Sequence, residues 1–181
     1  MLEEQIIECG APVLAGLKTA ALFNYRFRSE EEERERLACL NETLNRRDIY
    51  LRVLRHRAGA SQIYLYRRSR LENDLGRRGV KGFMKKYGYN ADDPDSAIVH
   101  LEERLEEVGE FPHEIGLFLG YPLADVIGFI ENRGMNYRCV GFWKVYHNEQ
   151  ETRKVFEQFE KCVEIYRRIY REGRSLLQLV A

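Results

Sequence analysis

The chain has 181 residues, of which 44% are hydrophobic and 32% charged, and its 29 basic and 29 acidic side chains leave no net charge. This composition is typical of one globular domain, and a sequence pI near 6.9 argues against a dedicated nucleic-acid-binding protein. No stretch approaches the roughly 20 apolar residues of a membrane helix, and the acidic Glu3, Glu4 and Glu8 do not suit a signal peptide, so we expect a cytoplasmic protein.

The N-terminal part of the chain is predicted to begin with a helix. Residues 2–9 form an acidic helix that Gly10-Ala11-Pro12 should end, because proline lacks the N–H that a helix interior needs. Residues 12–27 suit a buried strand and a helix equally, because their apolar run shows no decisive periodicity. A second helix is predicted after Ser29, whose hydroxyl can cap its N-terminus beside four glutamates. Its core stripe consists of Leu37, Leu40 and Leu44.

The middle of the chain is predicted to contain a hairpin followed by helices. Residues 49–68 alternate between apolar and polar side chains on both sides of Ala58-Gly59-Ala60-Ser61, which is the pattern of an antiparallel hairpin. Residues 69–89 should form two short helices punctuated by glycines. An acidic helix should then run from Asp95 or Ser96 to about Val108.

The C-terminal half mixes strand and helix patterns. FPHEIGLFLGYPLADVIGFI, residues 111–130, is predicted to begin as a buried strand and to end as an amphipathic helix. RCVGFWKVYHN, residues 138–148, alternates again and predicts a strand. The longest helix should run from Glu149 to about Glu172. Because the elements do not alternate as regular β-α-β units, we predict a single α+β domain over residues 1–181, with a small, mostly antiparallel sheet of about four to five strands packed with about six helices.

Charge is distributed unevenly along the chain. Residues 46–86 contain 13 lysines and arginines against three acidic residues, a local charge of +10. Residues 87–116 contain nine acidic residues against Arg104, a local charge of −8. The two segments could pair within the fold or between subunits.

The predicted hairpin interleaves cations with tyrosines, a mixture that binds single-stranded nucleic acid in other proteins. An acidic protein partner is the alternative, because a basic patch steers such an encounter. The neutral net charge makes nucleic acid the less favoured of these two. The candidate partner-binding residues are Arg52, Arg55, Arg57, Tyr64, Tyr66, Arg67 and Arg68.

Cysteine and histidine supply the candidate catalytic groups. On an extended strand His113 and Glu114 would point to opposite faces, so they should not act as a local pair. His113 could meet Cys139 or His147 from a neighbouring strand, and a thiol near an imidazole can act as nucleophile and base. The alternative is a backbone-bonded histidine with cysteines packed as small apolar residues. The candidate catalytic residues are Cys9, His113, Cys139 and Lys144.

Two lysines lie in apolar surroundings. Lys144 lies between Trp143 and Val145 in an apolar part of its predicted strand, and Lys18 lies in the equally apolar LAGLKTAALF, so each is either a desolvated functional amine or a solvent-facing side chain. Nearby aromatic residues could stack on a flat ligand or simply fill the core. The candidate ligand-pocket residues are Lys18, Glu114, Tyr121, Trp143 and His147. No metal site, phosphate loop or dinucleotide fingerprint is found, and no cofactor is identified.

The turn LGYP at residues 119–122 permits a further site. Pro122 at the start of a helix would leave free N–H groups that can hold an anion. Asp125 argues against a phosphate there, because it adds negative charge within the first turn. An ordinary strand-to-helix turn is the alternative.

Three segments, CGAPVLAGLK, FPHEIGLFLGYPLADVIGFIENRG and YRCVGFWKVYHN, resemble the bacterial domain-of-unknown-function family 3793, which is found mainly in anaerobes. The resemblance extends from about Cys9 to the C-terminal EGRSLLQL. The family has no established activity to carry over. The resemblance implies an association with flavodoxin and iron-uptake gene neighbourhoods, and therefore redox or iron physiology.

Three functions follow as hypotheses. The first is an accessory protein in iron- or flavodoxin-linked redox physiology that binds a cofactor or an acidic partner such as a flavodoxin. The second is a cysteine-dependent enzyme that uses a Cys-His pair. The third is a single-stranded nucleic-acid binder that acts through the basic hairpin.

Overall fold

The computed structural model describes residues 1–107 and 111–181. The described chain contains eight α-helices, two short 3-10 helices and five strands, which confirms the predicted α+β class. The helices are α1 Leu2–Leu14, α2 Glu30–Leu44, α3 Arg68–Gly76, α4 Arg78–Lys85, α5 Pro94–Glu106, α6 Ile115–Phe118, α7 Leu123–Glu131 and α8 Glu149–Arg171. The strands are β1 Ala20–Tyr25, β2 Ile49–Arg57, β3 Ala60–Arg67, β4 Cys139–Val140 and β5 Lys144–Val145.

The main sheet has three antiparallel strands in the order β1-β3-β2. The predicted hairpin of β2 and β3 is confirmed. Ala58 and Gly59 form its two-residue turn, with φ values of 51° and 72°. A two-residue turn that matches the twist of two antiparallel strands requires a positive φ at both of its central residues. The strands β4 and β5 form a separate two-stranded ribbon.

Both faces of the main sheet are buried, and each face packs against its own set of helices. Tyr64 and Tyr66 of β3 belong to a hydrophobic cluster with side chains from α3 to α7. Ile63 and Leu65, which alternate with them, belong to a second cluster built with α1, α2, α8 and the C-terminal residues. β3 is therefore the centre of the molecule, and burial on both faces holds its register.

The helix α1 does not end where proline predicts. The expected break at Gly10-Ala11-Pro12 is wrong, because the helix continues to Leu14 with Pro12 inside its last turns. Gly10 has a packing role instead, since a Cβ there would lie 2.2 Å from Cδ2 of Leu65. Residues 12–27, which fitted helix and strand equally, contain both the end of α1 and the strand β1.

The segment around His113 forms a helix and not the buried strand that the sequence predicts. Ile115–Phe118 is the short helix α6, and all four of its residues are buried. A short apolar run without alternation is compatible with a buried strand and a buried helix alike. Residues 138–148 form only two strand pairs, Cys139 with Val145 and Val140 with Lys144, with bends between them.

The remaining helices agree with the sequence patterns. Ser29 caps α2 by accepting a hydrogen bond from the backbone N–H of Glu32 at 3.1 Å. The two short helices α3 and α4 are present, and α8 extends from Glu149 to Arg171. α5 begins at Pro94 with Asp93 as its cap, whereas its predicted end at Val108 lies outside the described residues.

Candidate functional site

The acidic segment neutralises much of the basic hairpin. Arg52 makes a two-pronged ion pair with Glu102 of α5, at 2.5 Å from Nε to Oε1 and 2.8 Å from Nη2 to Oε2. Arg68 contacts Asp95 in the same way, with 2.6 Å between Nη2 and Oδ2. The acidic helix α5 therefore lies beside the basic strand, and these charges pair within the fold.

Other hairpin arginines bind backbone carbonyls. Arg67 donates from Nε to the Val13 oxygen at 2.7 Å, and from Nη2 to the oxygens of Leu14 at 2.7 Å and Ala181 at 2.8 Å. It thereby ties the end of α1 and the C-terminus to β3. Arg55 donates to Oε1 of Gln62 at 3.0 Å and to the Leu105 oxygen at 3.3 Å, whereas Arg57 is exposed near the hairpin tip.

The hairpin tyrosines are core residues. Tyr64 has no exposed surface, and its hydroxyl donates to the Phe118 carbonyl at 2.5 Å. Tyr66 is 4% exposed and stacks between Tyr64, at a centroid distance of 4.7 Å, and Tyr50, at 5.5 Å. Burial raises the pKa of Tyr66 to about 12. Neither ring offers a face on which a nucleotide base could stack.

In the described part of the chain no hydrogen bond joins His113 to Cys9 or Cys139. Cys9 lies half-buried on α1, where burial raises the pKa of its thiol and the Gln5 side chain donates to its sulfur at 3.3 Å. Cys139 is buried in a third apolar cluster with aromatic residues of α8. His113 packs against Phe129, at 4.9 Å between ring centroids. A thiol activated by a neighbouring imidazole needs the two groups in hydrogen-bond reach.

Glu114 has a structural environment of its own. It is 2% exposed, and its Oε1 lies 2.6 Å from Nε of Arg104 and accepts the Tyr89 hydroxyl at 2.9 Å. Burial, followed by the Glu114 charge, raises the pKa of Tyr89. This buried cluster joins α5 to the segment that precedes α6, and it lies apart from the other candidate ligand-pocket residues.

A cavity of about 390 Å³ brings together three of the candidate ligand-pocket residues, Lys18, Trp143 and His147. We call it the Lys18 cavity. Its walls come from five segments: residues 17–19, residues 70–77, residues 120–125, residues 143–148 and the first turns of α8. Its polar lining side chains are those of Lys18, Thr19, Arg70, Asp74, Arg77, Asp125, Trp143, His147, Asn148, Glu151 and Thr152.

Lys18 lies at the wall of this cavity, where it is partly buried. Its Nζ donates to the Ala20 carbonyl at 2.5 Å and lies 5.4 Å from the centroid of the Tyr121 ring. Desolvation disfavours the charged ammonium and lowers the pKa of Lys18 to about 8. The amine therefore loses its proton more readily than an ordinary lysine does.

A carboxylate and a hydroxyl connect two walls of the Lys18 cavity. The Thr19 hydroxyl donates to Oδ2 of Asp74 at 2.5 Å, and Nη2 of Arg77 lies 2.9 Å from Oδ1 of the same carboxylate. Gly120 faces this pair with a φ of 77°, and a Cβ on it would lie 2.6 Å from Oγ1 of Thr19. Glycine is therefore required at position 120, both because φ is positive there and because the Thr19 side chain leaves no room for a Cβ.

Asp125 positions the aromatic wall. It is 3% exposed, and its Oδ1 accepts the backbone N–H groups of Tyr146 at 2.7 Å and His147 at 2.9 Å. Its Oδ2 accepts the indole Nε1–H of Trp143 at 2.9 Å. Trp143 in turn stacks on Tyr121 at 4.9 Å between centroids. One buried carboxylate thus holds the ribbon segment against α7 and sets the orientation of the indole.

The sequence profile of the family described as "Protein of unknown function (DUF3793)" matches residues 6–180. The chain belongs to this family. No curated protein and no solved structure gives a match. The three segments that carry the resemblance to the family each contribute to the Lys18 cavity, through Lys18, through Gly120 and Asp125, and through Trp143 and His147.

A second, more apolar cavity of about 360 Å³ lies on the other side of Trp143 and Asp125, which line both cavities. His113 and Lys144 line it among aromatic side chains. Lys144 donates from Nζ to the Gly134 carbonyl at 2.8 Å and lies 4.9 Å from the Tyr137 ring centroid. Lys144 is therefore engaged with its own loop and belongs to a different site from Lys18.

Within residues 1–107 and 111–181, no group of three or more His, Cys, Asp or Glu side chains is arranged to hold a metal ion. None of the helices in these residues is both long and apolar enough to span a membrane. Several lining residues of the Lys18 cavity, among them Thr19, Asp74 and Arg77, did not emerge from the sequence as site residues. No local pattern marks them, because they meet Lys18 only after the chain has folded.

Proposed function

We propose that this family member is an accessory protein that binds a small anionic ligand in the Lys18 cavity. The observation that carries the proposal is the desolvated Lys18 ammonium, which shares the cavity with Arg70 and Arg77. In the described part of the chain, neither Lys18 nor Arg70 forms an ion pair with a carboxylate. An anion would supply the missing countercharge, and charge-assisted hydrogen bonds are the stronger kind.

Within the described residues, none of the three carboxylates that line the cavity forms an ion pair with Lys18 or Arg70, and Glu151 pairs with Lys154 instead. Asp74 is already engaged by Thr19 and Arg77, and Asp125 accepts three hydrogen bonds from its own surroundings. Arg70 donates to the Gly16 carbonyl at 2.5 Å, which orients its guanidinium without neutralising it. The indole of Trp143 adds a flat apolar wall, which is the usual complement to a few polar groups in a ligand site.

The physiological setting of the proposal comes from the family resemblance. We place the protein in the cytoplasm of anaerobic bacteria and in iron- or flavodoxin-linked redox physiology. An absorption spectrum and metal analysis of protein purified without oxygen test this setting. A flavin or iron signature at near-stoichiometric level supports it, and a colourless, metal-free protein contradicts a resident redox cofactor.

Ligand binding is tested by calorimetric titration with a panel of small carboxylates and phosphates, comparing the wild type with Lys18→Met. We expect Lys18→Met to weaken binding at least tenfold, because the ammonium is the most desolvated cation of the cavity. Lys161→Met, which removes an exposed lysine of α8, is the matched control and should bind like the wild type. Equal affinities of wild type and Lys18→Met would contradict the proposal.

A second candidate function is capture of an acidic protein partner such as a flavodoxin. The observation that favours it is a set of exposed cations, Arg78, Lys85 and Lys86, that form no ion pair within the described residues. They lie on and beside α4, which begins at the rim of the cavity next to Arg77. A surface of this sign would steer an acidic partner toward the cavity mouth.

Charge reversal tests this second candidate. Replacing the three α4 cations by glutamate should weaken flavodoxin binding at least tenfold at low salt, with a smaller loss at high salt. Reversal of Lys161, Arg168 and Arg171, three exposed cations of α8, changes the net charge equally. An equal loss in both variants would show that only net charge matters and would remove the α4 surface as a docking site.

A further inference from the structure

Lys18 differs from the other lysines in its surroundings. Lys81 and Lys154 pair with Asp92 and Glu151, and Lys161 is exposed to solvent. Lys144 lines the second cavity and donates to the Gly134 carbonyl of its own loop. Lys18 lines the Lys18 cavity beside Arg70, lacks a carboxylate partner in the described chain, and is desolvated. An amine attacks a carbonyl carbon only in its neutral form, and burial away from other charges is the usual way in which proteins populate that form.

We propose that Lys18 forms an imine with a small anionic aldehyde or ketone bound in the Lys18 cavity. The inference rests on the proposed anion-binding function and names the substrate class. Arg70, which has no carboxylate partner in the described chain, provides the cation for the anionic group, and Trp143 provides the wall against which the carbon skeleton packs. A carbonyl held beside Lys18 by its own charge would react as part of one complex, which removes most of the entropic cost of their encounter.

The chemistry balances without an oxidant or reductant. The lone pair of the Lys18 amine forms a C–N bond to the carbonyl carbon, and a proton moves from nitrogen to the former carbonyl oxygen. The resulting carbinolamine then loses its hydroxyl group and the remaining N–H proton as one water molecule, which leaves the C=N bond. The titratable side chains that line the cavity with Lys18 are Asp74, Asp125, His147 and Glu151. The Thr19 hydroxyl, bonded to Asp74, lies next to Lys18 in the chain.

Reductive trapping with glyoxylate tests the inference. The full chain is incubated with glyoxylate and sodium cyanoborohydride at pH 8, and carboxymethylated lysines are located by peptide mass spectrometry. We expect Lys18 to be labelled at least tenfold faster than the exposed Lys161. Lys18→Arg should abolish this label while keeping the positive charge, and Arg70→Gln should slow it at least threefold. Circular dichroism establishes that both variants are folded.

The pH dependence of labelling distinguishes a desolvated lysine from one that is merely accessible to the reagent. When samples equilibrated with glyoxylate at a series of pH values are all reduced under the same conditions, the label at Lys18 should level off above its pKa of about 8, whereas the label at Lys161 should still be rising. Equal profiles for the two lysines, or a Lys18 rate no higher than that of Lys161, would overturn the imine proposal.

A competition experiment with glycolate distinguishes failure of this inference from failure of the proposed function. Glycolate carries the same charge as glyoxylate but has a hydroxyl group in place of the reactive aldehyde. Glycolate that protects Lys18 from labelling supports both the anion site and the imine. Glycolate binding to the wild type without selective labelling of Lys18 would overturn the imine and leave the anion site standing. If glycolate does not bind and Lys18 is not labelled selectively, both the anion site and the imine are overturned.

Discussion

The basic hairpin and the Lys18 cavity contrast in how the fold uses their polar groups. In the hairpin, Arg52 and Arg68 pair with carboxylates of the acidic segment, and Arg67 caps backbone carbonyls. In the cavity, Lys18 and Arg70 face open space and lack a carboxylate partner in the described chain. A segment of the sequence that is dense in charge is therefore a weaker indication of a functional site than cations from distant segments that come together without carboxylate partners.

The same contrast holds for the aromatic residues. Tyr64 and Tyr66 lie on a strand that is covered on both faces, so their rings contribute to stability. Trp143 lies on a short ribbon at the surface of the molecule, where a hydrogen bond to Asp125 orients it toward a cavity. Four sets of variants test this difference between the hairpin and the Lys18 cavity.

The largest effect is expected at the centre of the hairpin. Tyr64→Ala removes a fully buried ring and should lower the free energy of unfolding by about 3–5 kcal/mol. Arg57→Ala, at the exposed end of the same hairpin, should change it by less than about 0.5 kcal/mol. Urea titration followed by circular dichroism measures both. A loss below about 1 kcal/mol for Tyr64→Ala would contradict its place in the core.

Asp125→Ala should cost about 3 kcal/mol, because it leaves the indole N–H of Trp143 and two backbone N–H groups without their acceptor. The Trp143 fluorescence should change at the same time, since the chain has one tryptophan. Asp125→Asn retains a side-chain acceptor and should lose less. A wild-type emission spectrum in Asp125→Ala would show that the carboxylate does not orient the indole.

Lys18→Met should stabilise the protein by about 1–2 kcal/mol at pH 7, less than the full value of the pKa shift because the side chain is partly exposed. The folded-state pKa of about 8 lies below the ordinary lysine value of 10.5, so the unfolded chain binds more protons between these two pH values. Wild-type stability should therefore rise with pH across this window, and the difference from Lys18→Met should shrink.

Urea titrations of the wild type and Lys18→Met at pH 7 and pH 10 measure this effect. Lys161→Met, which replaces an exposed lysine, controls for general changes in charge. A stability difference that is independent of pH would show that desolvation of the Lys18 amine is not its cause.

The smallest effect is expected from the ion pair between Arg52 and Glu102. A double-mutant cycle with alanine at both positions should give a coupling energy of about 1 kcal/mol, because both side chains are partly exposed. Raising the salt concentration should reduce it. A coupling energy near zero would mean that the ion pair with Glu102 does not stabilise the fold. Arg52 could then bind a partner, and the hairpin would again be a candidate docking surface.

Short-range patterns predicted most of the secondary structure. The Ser29 cap with its glutamates, the alternation around Ala58 and Gly59, and the apolar stripe of α8 all act between residues that are near in sequence. The predictions failed for α6, because burial on all sides removes the periodicity that separates helix from strand. They failed for the end of α1, because packing of Gly10 against Leu65 keeps the helix close to the sheet.

Sequence patterns were enough to predict the α+β class, the family, the uneven charge and three residues of the Lys18 cavity, namely Lys18, Trp143 and His147. The pairing of the acidic and basic segments, and the meeting of Thr19 with Asp74, 55 residues away, beside Lys18, could be seen only in the folded molecule. Caps and amphipathic stripes depend on neighbours in the chain, whereas desolvation and ion pairing depend on groups that only the complete fold brings together.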